Sequence, residues 1–504
     1  MSIAKNSAYN LAGSLIPLLV SLAMVPLYLE AIGIERYGLL ALCWTLLGHL
    51  GFLNLGLGPA VAQMMARLRK GETSEREEIF WTGFWVSFSM GLAAALIGFW
   101  AAGSYFASME DLPLGILGEI SNATGWLAAI IPVVMLSSVL TGVLQGHERF
   151  LSINLITSSM SLGISLGPLI VAYVFGPDLY GLLAATLVIR IASLGVLFIV
   201  ALRTISIQRL RWINQRLLRR LLTFGGWVTF DSIIASLLVT FDRFLIGRLL
   251  GAAAVSIYTI PYSVVATIQI IPSALESVLF PRFASNLDEK HNDWLALEGI
   301  TALAAVMTPI TVLGMAAVEP FLFLWIGPTL AGQSAPVAFL ILFALWPNSI
   351  ARVPYSRLLA SGRPSVIAKI HFFELPIYSA ILFFGTIKFG VSGTAAAWCV
   401  RTTIDALVFV LFMRDPRLIL RRLAVPLLIV SGALVTSLVL PMISPLRWIF
   451  MSAALLTATF WCLRETPQTL LRWLEKILRP IPMLRHIHRI SRYWEGPKNK
   501  AGIS

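Results

Sequence analysis

The chain has 504 residues, of which 58% are hydrophobic and 12% charged, with a mean hydropathy of +0.83 and a formal charge of +13. A soluble globular domain carries roughly a quarter charged residues, so this composition excludes water as the main solvent of the chain. The positive charge does not indicate nucleic acid, because the basic residues are scattered between apolar segments; anionic lipid headgroups account for them better.

At the N-terminus, Lys5 precedes an apolar stretch that passes Pro17 and Pro26 without a small-residue cleavage site. This predicts a retained first helix and no cleaved signal peptide. A helix needs about 20 mostly apolar residues to cross a hydrocarbon core of roughly 30 Å. By that rule the first half holds spans near 8–29, 37–65, 79–102, 124–144, 151–174, 181–202 and 222–246. The second half holds spans near 254–280, 296–318, 335–356, 366–387, 393–413, 424–442 and 447–463. The fold class is therefore an all-α polytopic membrane protein of about fourteen transmembrane helices, since long apolar runs satisfy their own backbone bonds only as helices. Kinks are predicted at Gly56–Pro59, Pro272, Pro347 and Pro376, where proline removes a backbone donor. Trp81, Trp85, Trp126, Trp325 and Trp448 lie near span ends and read as interfacial anchors. Cys43, Cys399 and Cys462 fall in apolar runs without CxxC spacing and read as small core residues.

With a cytoplasmic N-terminus, Lys and Arg concentrate on the even-numbered loops and the C-terminal tail. The odd-numbered loops carry only Arg36, Arg248, Lys388 and Arg447. Short cytoplasmic loops retain positive charge, so both termini are expected inside. The largest cluster, Arg203, Arg209, Arg211, Arg216, Arg219 and Arg220, is a linker between the sixth and seventh helices. After Leu463 the tail alternates apolar residues with Arg472, Lys476, Arg479, Arg485, Arg489 and Arg492, and is expected to lie on the inner-leaflet surface as an anchor.

An internal repeat is visible. Gly146 to Arg149, a span ending Phe175-Gly176, then Gly181 and Arg190 are matched by Gly362 to Pro364, a span ending Phe389-Gly390, then Gly393 and Arg401. Gly33 before Tyr37-Gly38 is matched by Gly251 before Tyr258, and the offsets run from 212 to 218 residues. Each period holds an even number of spans, so the copies enter the membrane in the same direction, related by an axis along its normal. The expected organisation is an N-lobe at 1–202, a basic cytoplasmic linker at 203–221 and a C-lobe at 222–413. Two accessory helices follow at 414–463, then a basic tail at 464–504.

The sequence resembles the polysaccharide transporters of the multidrug, oligosaccharidyl-lipid and polysaccharide exporter superfamily, the O-antigen flippases among them. The resemblance is carried by Asn6 to Asn10, by LEAIGIERYGL at 29–39, by NLGLGPA at 54–60 and by FDRFLIGRLLG at 241–251, with Tyr258 beyond. Asn54 stands where many relatives have an aspartate, so no carboxylate role carries over there. The resemblance implies two six-helix lobes around a central cavity, with a final helix pair added. It also implies export, to the outer leaflet of a bacterial inner membrane, of an oligosaccharide linked through pyrophosphate to undecaprenol. The implied partners are that lipid-linked oligosaccharide, membrane lipids, and a polysaccharide polymerase with its chain-length regulator. No cofactor, metal, catalytic residue or nucleic acid is expected.

Charges inside a membrane are costly and are functional candidates by default. The cations are Arg190, Arg243, Arg352 and Arg401; a guanidinium binds phosphate bidentately, which suits a pyrophosphate. Arg190 and Arg401 occupy near-equivalent places in the sixth and twelfth spans. Structural alternatives are an Arg401–Asp405 pair one turn apart, and snorkelling of Arg243 and Arg352 to the headgroups. The anions are Asp231, Asp242, Glu276, Glu374 and Asp405. Asp231 and Asp242 are three turns apart on one helix face, where they could line a cavity. Glu374, with His371 one turn earlier and Pro376 beyond, is the best candidate for proton coupling; a hydrogen-bonded core pair is the alternative.

Two rival readings are weighed. A multidrug and toxin extrusion pump would use inward carboxylates for a cationic drug, whereas four intramembrane arginines favour an anionic substrate. A membrane glycosyltransferase or polysaccharide polymerase would need large outer loops, whereas those near 103–123 and 319–334 are short and no nucleotide-binding or nucleophile motif appears.

Overall fold

The computed structural model describes residues 3–49, 56–67, 73–109, 112–205, 209–285 and 288–465. The tail after Glu465 and Asn54 lie outside the described residues, as does the side chain of Asp231. The elements are helical throughout the described residues. They are α1 (Ile3–His49), α2 (Leu57–Arg67), α3 (Thr73–Ala107), α4 (Leu114–Gly146), α5 (Phe150–Phe175), α6 (Leu179–Ile205) and α7 (Gln215–Ala266). There follow α8 (Ile270–Ser285), α9 (Glu289–Ile326), α10 (Pro328–Ala360), α11 (Pro364–Leu411), α12 (Pro416–Val439) and α13 (Pro445–Glu465). Among the described residues, 11 helical stretches are long and apolar enough to cross a membrane.

Three of these stretches each cover two expected spans, and each contains a glycine with positive φ: Gly33 at 78°, Gly251 at 81° and Gly390 at 61°. Glycine reaches that region without steric cost. Side-chain contacts show how sharply the chain turns there. In a straight helix 16 residues span about 24 Å, yet the Tyr258 hydroxyl donates to Asp242 Oδ2 at 2.6 Å across Gly251. Tyr28 meets Trp44 edge-on at 5.5 Å across Gly33. The Thr386 and Thr394 hydroxyls are 2.8 Å apart across Gly390. Each of the three stretches is thus a helical hairpin.

Prolines act differently at different places. The kink expected at Gly56–Pro59 is a helix start, with Gly56 at φ 65° and Pro59 in the first turn of α2, where its missing N–H costs no helical bond. At Pro272 the helix is interrupted just before, by a short 3-10 turn at Thr267–Gln269. The helices α10 and α11 continue through Pro347 and Pro376.

Packing separates two compact units. The first holds 1–270, 317–344 and 363–403; the second holds 271–316, 345–362 and the chain from Ile404. This grouping follows packing, whereas the expected lobes follow the repeat. In the first unit α2 lies so close to α4 that a Cβ on Gly142 would strike the Gly58 carbonyl, the small-residue contact typical of membrane helices. Arg36 of α1 grips Glu119 of α4 with Nε at 2.8 Å, and the same carboxylate accepts from the Leu179 N–H at the start of α6. In the second unit the Trp346 indole donates to Thr308 at 2.9 Å, tying α10 to α9.

The contact between α1 and α7 is reciprocal. A Cβ on Gly38 would collide with the Ala252 carbonyl, and Ser256 Oγ donates to the Ile34 carbonyl at 2.6 Å. Ile34 and Ala252, like Gly38 and Ser256, are 218 residues apart, the spacing of Gly33 and Gly251. Exchanging the two copies therefore turns one contact into the other, as a local two-fold axis requires. The repeat is also sharpened elsewhere. Gly362, with φ 73°, matches in conformation Glu148, with φ 56°, rather than Gly146. That pairing gives an offset of 214, equal to that of Gly176 and Gly390. Replacing Gly38 by valine should drive α1 from α7 at a cost of about 1–3 kcal/mol, read as a lower melting temperature in detergent. Gly48→Ala, at a helical position with open space, should not lower the melting temperature.

Candidate functional site

Among the described residues, three of the four arginine candidates stand in ion pairs and one is an exception. On α7, Asp242 and Arg243 are 2% and 3% exposed, and Arg243 Nη1 lies 3.2 Å from Asp242 Oδ1. Arg243 also donates to the Val239 carbonyl, and its guanidinium sits over the Tyr262 ring at 4.0 Å. A desolvated cation–π contact contributes about 2 kcal/mol. Tyr258 completes the cluster through its bond to Asp242. Arg243 therefore does not snorkel: the Gly251 hairpin brings two tyrosines back over it.

On α11 the Gly390 hairpin brings Arg401 onto Glu374, with Nε 2.9 Å from Oε1 and both side chains 10% exposed. Arg401 also donates to the Leu238 carbonyl of α7 at 3.1 Å and lies 5.3 Å from the Tyr378 ring centroid. Tyr378, Leu382 and Ala397 pack with Ile234 and Leu238 in one buried cluster, which fixes α11 against α7. Asp405 is buried one turn beyond Arg401, and His371 lies one turn before Glu374. Glu374 Oε2 and the Tyr378 hydroxyl, one turn apart, are buried without a hydrogen-bond partner among the described residues.

In the second unit Arg352 of α10 meets Glu276 of α8 at 2.8 Å, joining two candidates that sequence had treated separately. Both side chains stay about a quarter exposed, at 29% and 25%. Arg190 of α6 differs. Its Nε is buried without a hydrogen-bond partner among the described residues, as is Ser193 Oγ one turn on along the same helix. The argument from four intramembrane arginines thus narrows to one, because the charges of the other three are offset by carboxylates.

Sequence reasoning missed the tyrosines. Tyr258 entered only as a landmark, and Tyr262 and Tyr378 not at all, although Tyr258 and Tyr262, like Glu374 and Tyr378, share the i, i+4 spacing of one helix face. The Cys399 thiol donates to the Leu340 carbonyl at 2.9 Å, and Cys462 is half-buried.

The family described as "Polysaccharide biosynthesis protein" matches residues 3–287. The chain belongs to that family. It is 28% identical over 410 residues to a Shigella flexneri protein named "Putative O-antigen transporter", across 81% of this chain and 97% of the relative. A solved structure of the lipid II flippase MurJ in an inward closed conformation superposes with a TM-score of 0.69 at 12% identity, over 90% of this chain and 97% of that one. An inward-facing multidrug resistance MATE family transporter of the MOP superfamily gives 0.63 at 15% identity, over 81% and 99%. The fold is that of the multidrug, oligosaccharidyl-lipid and polysaccharide exporter superfamily, and the chain is a multi-pass membrane protein.

Removing one member of a buried pair strands the other. Arg401→Met should therefore destabilise the protein by about 3–5 kcal/mol, whereas Arg401→Met with Glu374→Met should recover most of the loss. Detergent melts of the single and double variants measure the difference.

Proposed function

We propose that this protein is a flippase of the bacterial inner membrane. It moves undecaprenyl-pyrophosphate-linked oligosaccharide repeat units from the cytoplasmic to the outer leaflet by alternating access, in O-antigen, exopolysaccharide or capsule biosynthesis, and catalyses no covalent reaction. Fourteen crossings, with each hairpin arm crossing once and both termini cytoplasmic, form two parallel lobes plus an accessory pair. The lipid tail stays in the bilayer while the sugar pyrophosphate passes between the lobes.

The observation that carries the reading is Arg190. It is an intramembrane guanidinium whose Nε has no hydrogen-bond partner among the described residues, in a member of the polysaccharide biosynthesis family. A half-buried intramembrane cation with no counter-charge among the described residues is costly, and a pyrophosphate supplies the charge and the paired acceptors that it lacks. Ser193 offers a hydroxyl one turn away. A drug pump that binds cations would use free carboxylates, whereas among the described residues Asp242, Glu276 and Glu374 each hold an arginine.

Arg190→Ala should lower surface glycan display about tenfold or more at unchanged protein abundance, the loss of one charged hydrogen-bonded contact. Arg190→Lys should restore part of it. Full display in Arg190→Ala, scored by antiserum or lectin against intact cells, would sink the cationic-site reading. Coupling is assigned to Glu374, whose second carboxylate oxygen is open to a proton. Glu374→Gln should flatten the pH dependence of flipping in proteoliposomes.

A further inference from the structure

The segment joining α6 to α7 is strapped to α3. Trp81 Nε1 donates to the Arg209 carbonyl at 2.9 Å, and Trp85 Nε1 donates to the Arg211 carbonyl at 3.2 Å. Arg211 spends its guanidinium on Glu77 at 3.2 Å, Glu78 at 2.8 Å and Ser74 Oγ at 2.9 Å. Asn214 donates from its side chain to Glu78 and from its backbone to Thr82 Oγ1, then caps α7 by accepting from Arg216 and Leu217. The two tryptophans expected to be interfacial anchors are thus the clasp of this strap.

Holding Arg211 and Asn214 inward leaves the other side chains outward. Leu210 and Trp212 are 59% and 74% exposed, Ile213 is also exposed, and Trp212 stacks on Trp85 at 5.5 Å. Arg209, Arg216 and Arg219 are exposed among them. Three apolar side chains between three cations form the pattern of a segment seated at a membrane surface, with the apolar groups in the acyl boundary and the guanidinium groups among headgroups. The clasp pre-orders this pattern, so little entropy is lost on docking.

We propose that the 209–214 strap, with Arg216 and Arg219, is a docking surface for anionic lipid headgroups, presented by the Glu77/Glu78 clasp on Arg211. Charge complementarity selects this occupant. The C-terminal tail and a second copy of the strap are both basic and would be repelled. The docking sets the base of α7 on the bilayer surface and is independent of the transported substrate.

The test uses the purified full-length chain in nanodiscs of phosphatidylcholine, with or without one third phosphatidylglycerol. Ile213→Cys carries a polarity-sensitive fluorophore in a Cys462→Ala background, Cys43 and Cys399 being buried. Each basic residue near an anionic surface contributes about a fivefold preference. Quenching of the label by neutral acrylamide should therefore fall about fivefold or more when phosphatidylglycerol is present. Arg209→Gln/Arg216→Gln/Arg219→Gln, all at exposed positions, should abolish that fall. Equal quenching in both lipid compositions would overturn the proposal, as would protection by inorganic phosphate alone in neutral discs or an undiminished fall in the triple arginine variant.

Discussion

Hydrocarbon offers a charged group no solvent, and the arrangement of this protein follows from how each buried charge is met. Asp242 is matched by the adjacent Arg243 and by Tyr258, and Glu374 by Arg401. Both arginines lie against tyrosine rings as well, which adds favourable contacts where water is excluded. These clusters connect α7 with α11, so the electrostatic requirement and the packing of Tyr378, Leu382 and Ala397 on Ile234 and Leu238 act together. Arg190 stands out against this background because its neighbours leave its Nε unmatched.

The tyrosines over Asp242 and Arg243, and the Arg401–Glu374 pair, meet only because the chain reverses at glycine. Residues 16 or 27 positions apart on a continuous helix would be separated by several turns, and the bends at Gly251 and Gly390 bring them into bonding distance. The Gly33 bend does the same for Tyr28 and Trp44, without an ion pair. The two copies of the repeat thus share a backbone device while one of them uses it for charge. The reciprocal contacts of Gly38 with Ala252 and of Ser256 with Ile34 show that the shared device also forms the contact between α1 and α7.

Much of the candidate site was legible residue by residue, but little of its wiring was. Arg401 and Glu374 could both be named from their position in apolar runs, and the one-turn neighbours the sequence offered do gather there, one side-chain nitrogen or oxygen from each of His371, Glu374 and Asp405 lying within 4.8 Å of the others. The structure pairs Arg401 with a residue 27 positions back, a neighbour that helical periodicity cannot display across a hairpin. Snorkelling was a reasonable expectation for Arg243 near a span end, but Tyr262 gives it a closer partner inside. Trp81 and Trp85 look like interfacial tryptophans by position, and nothing local announces that their indole N–H groups meet carbonyls about 130 residues further on.

The sequence by itself determined the solvent, the helical class, the glycine landmarks of the repeat and the set of buried charges. Each of these depends on local composition and on the cost of an unsatisfied backbone or charge in hydrocarbon. Only the tertiary structure decided which charges neutralise one another, that Gly33, Gly251 and Gly390 are hairpin turns, and that the basic linker is clasped to α3. Those outcomes depend on which surfaces meet after the chain has turned. A periodic pattern along one helix fixes the face of a side chain, but not the helix that comes to lie against it.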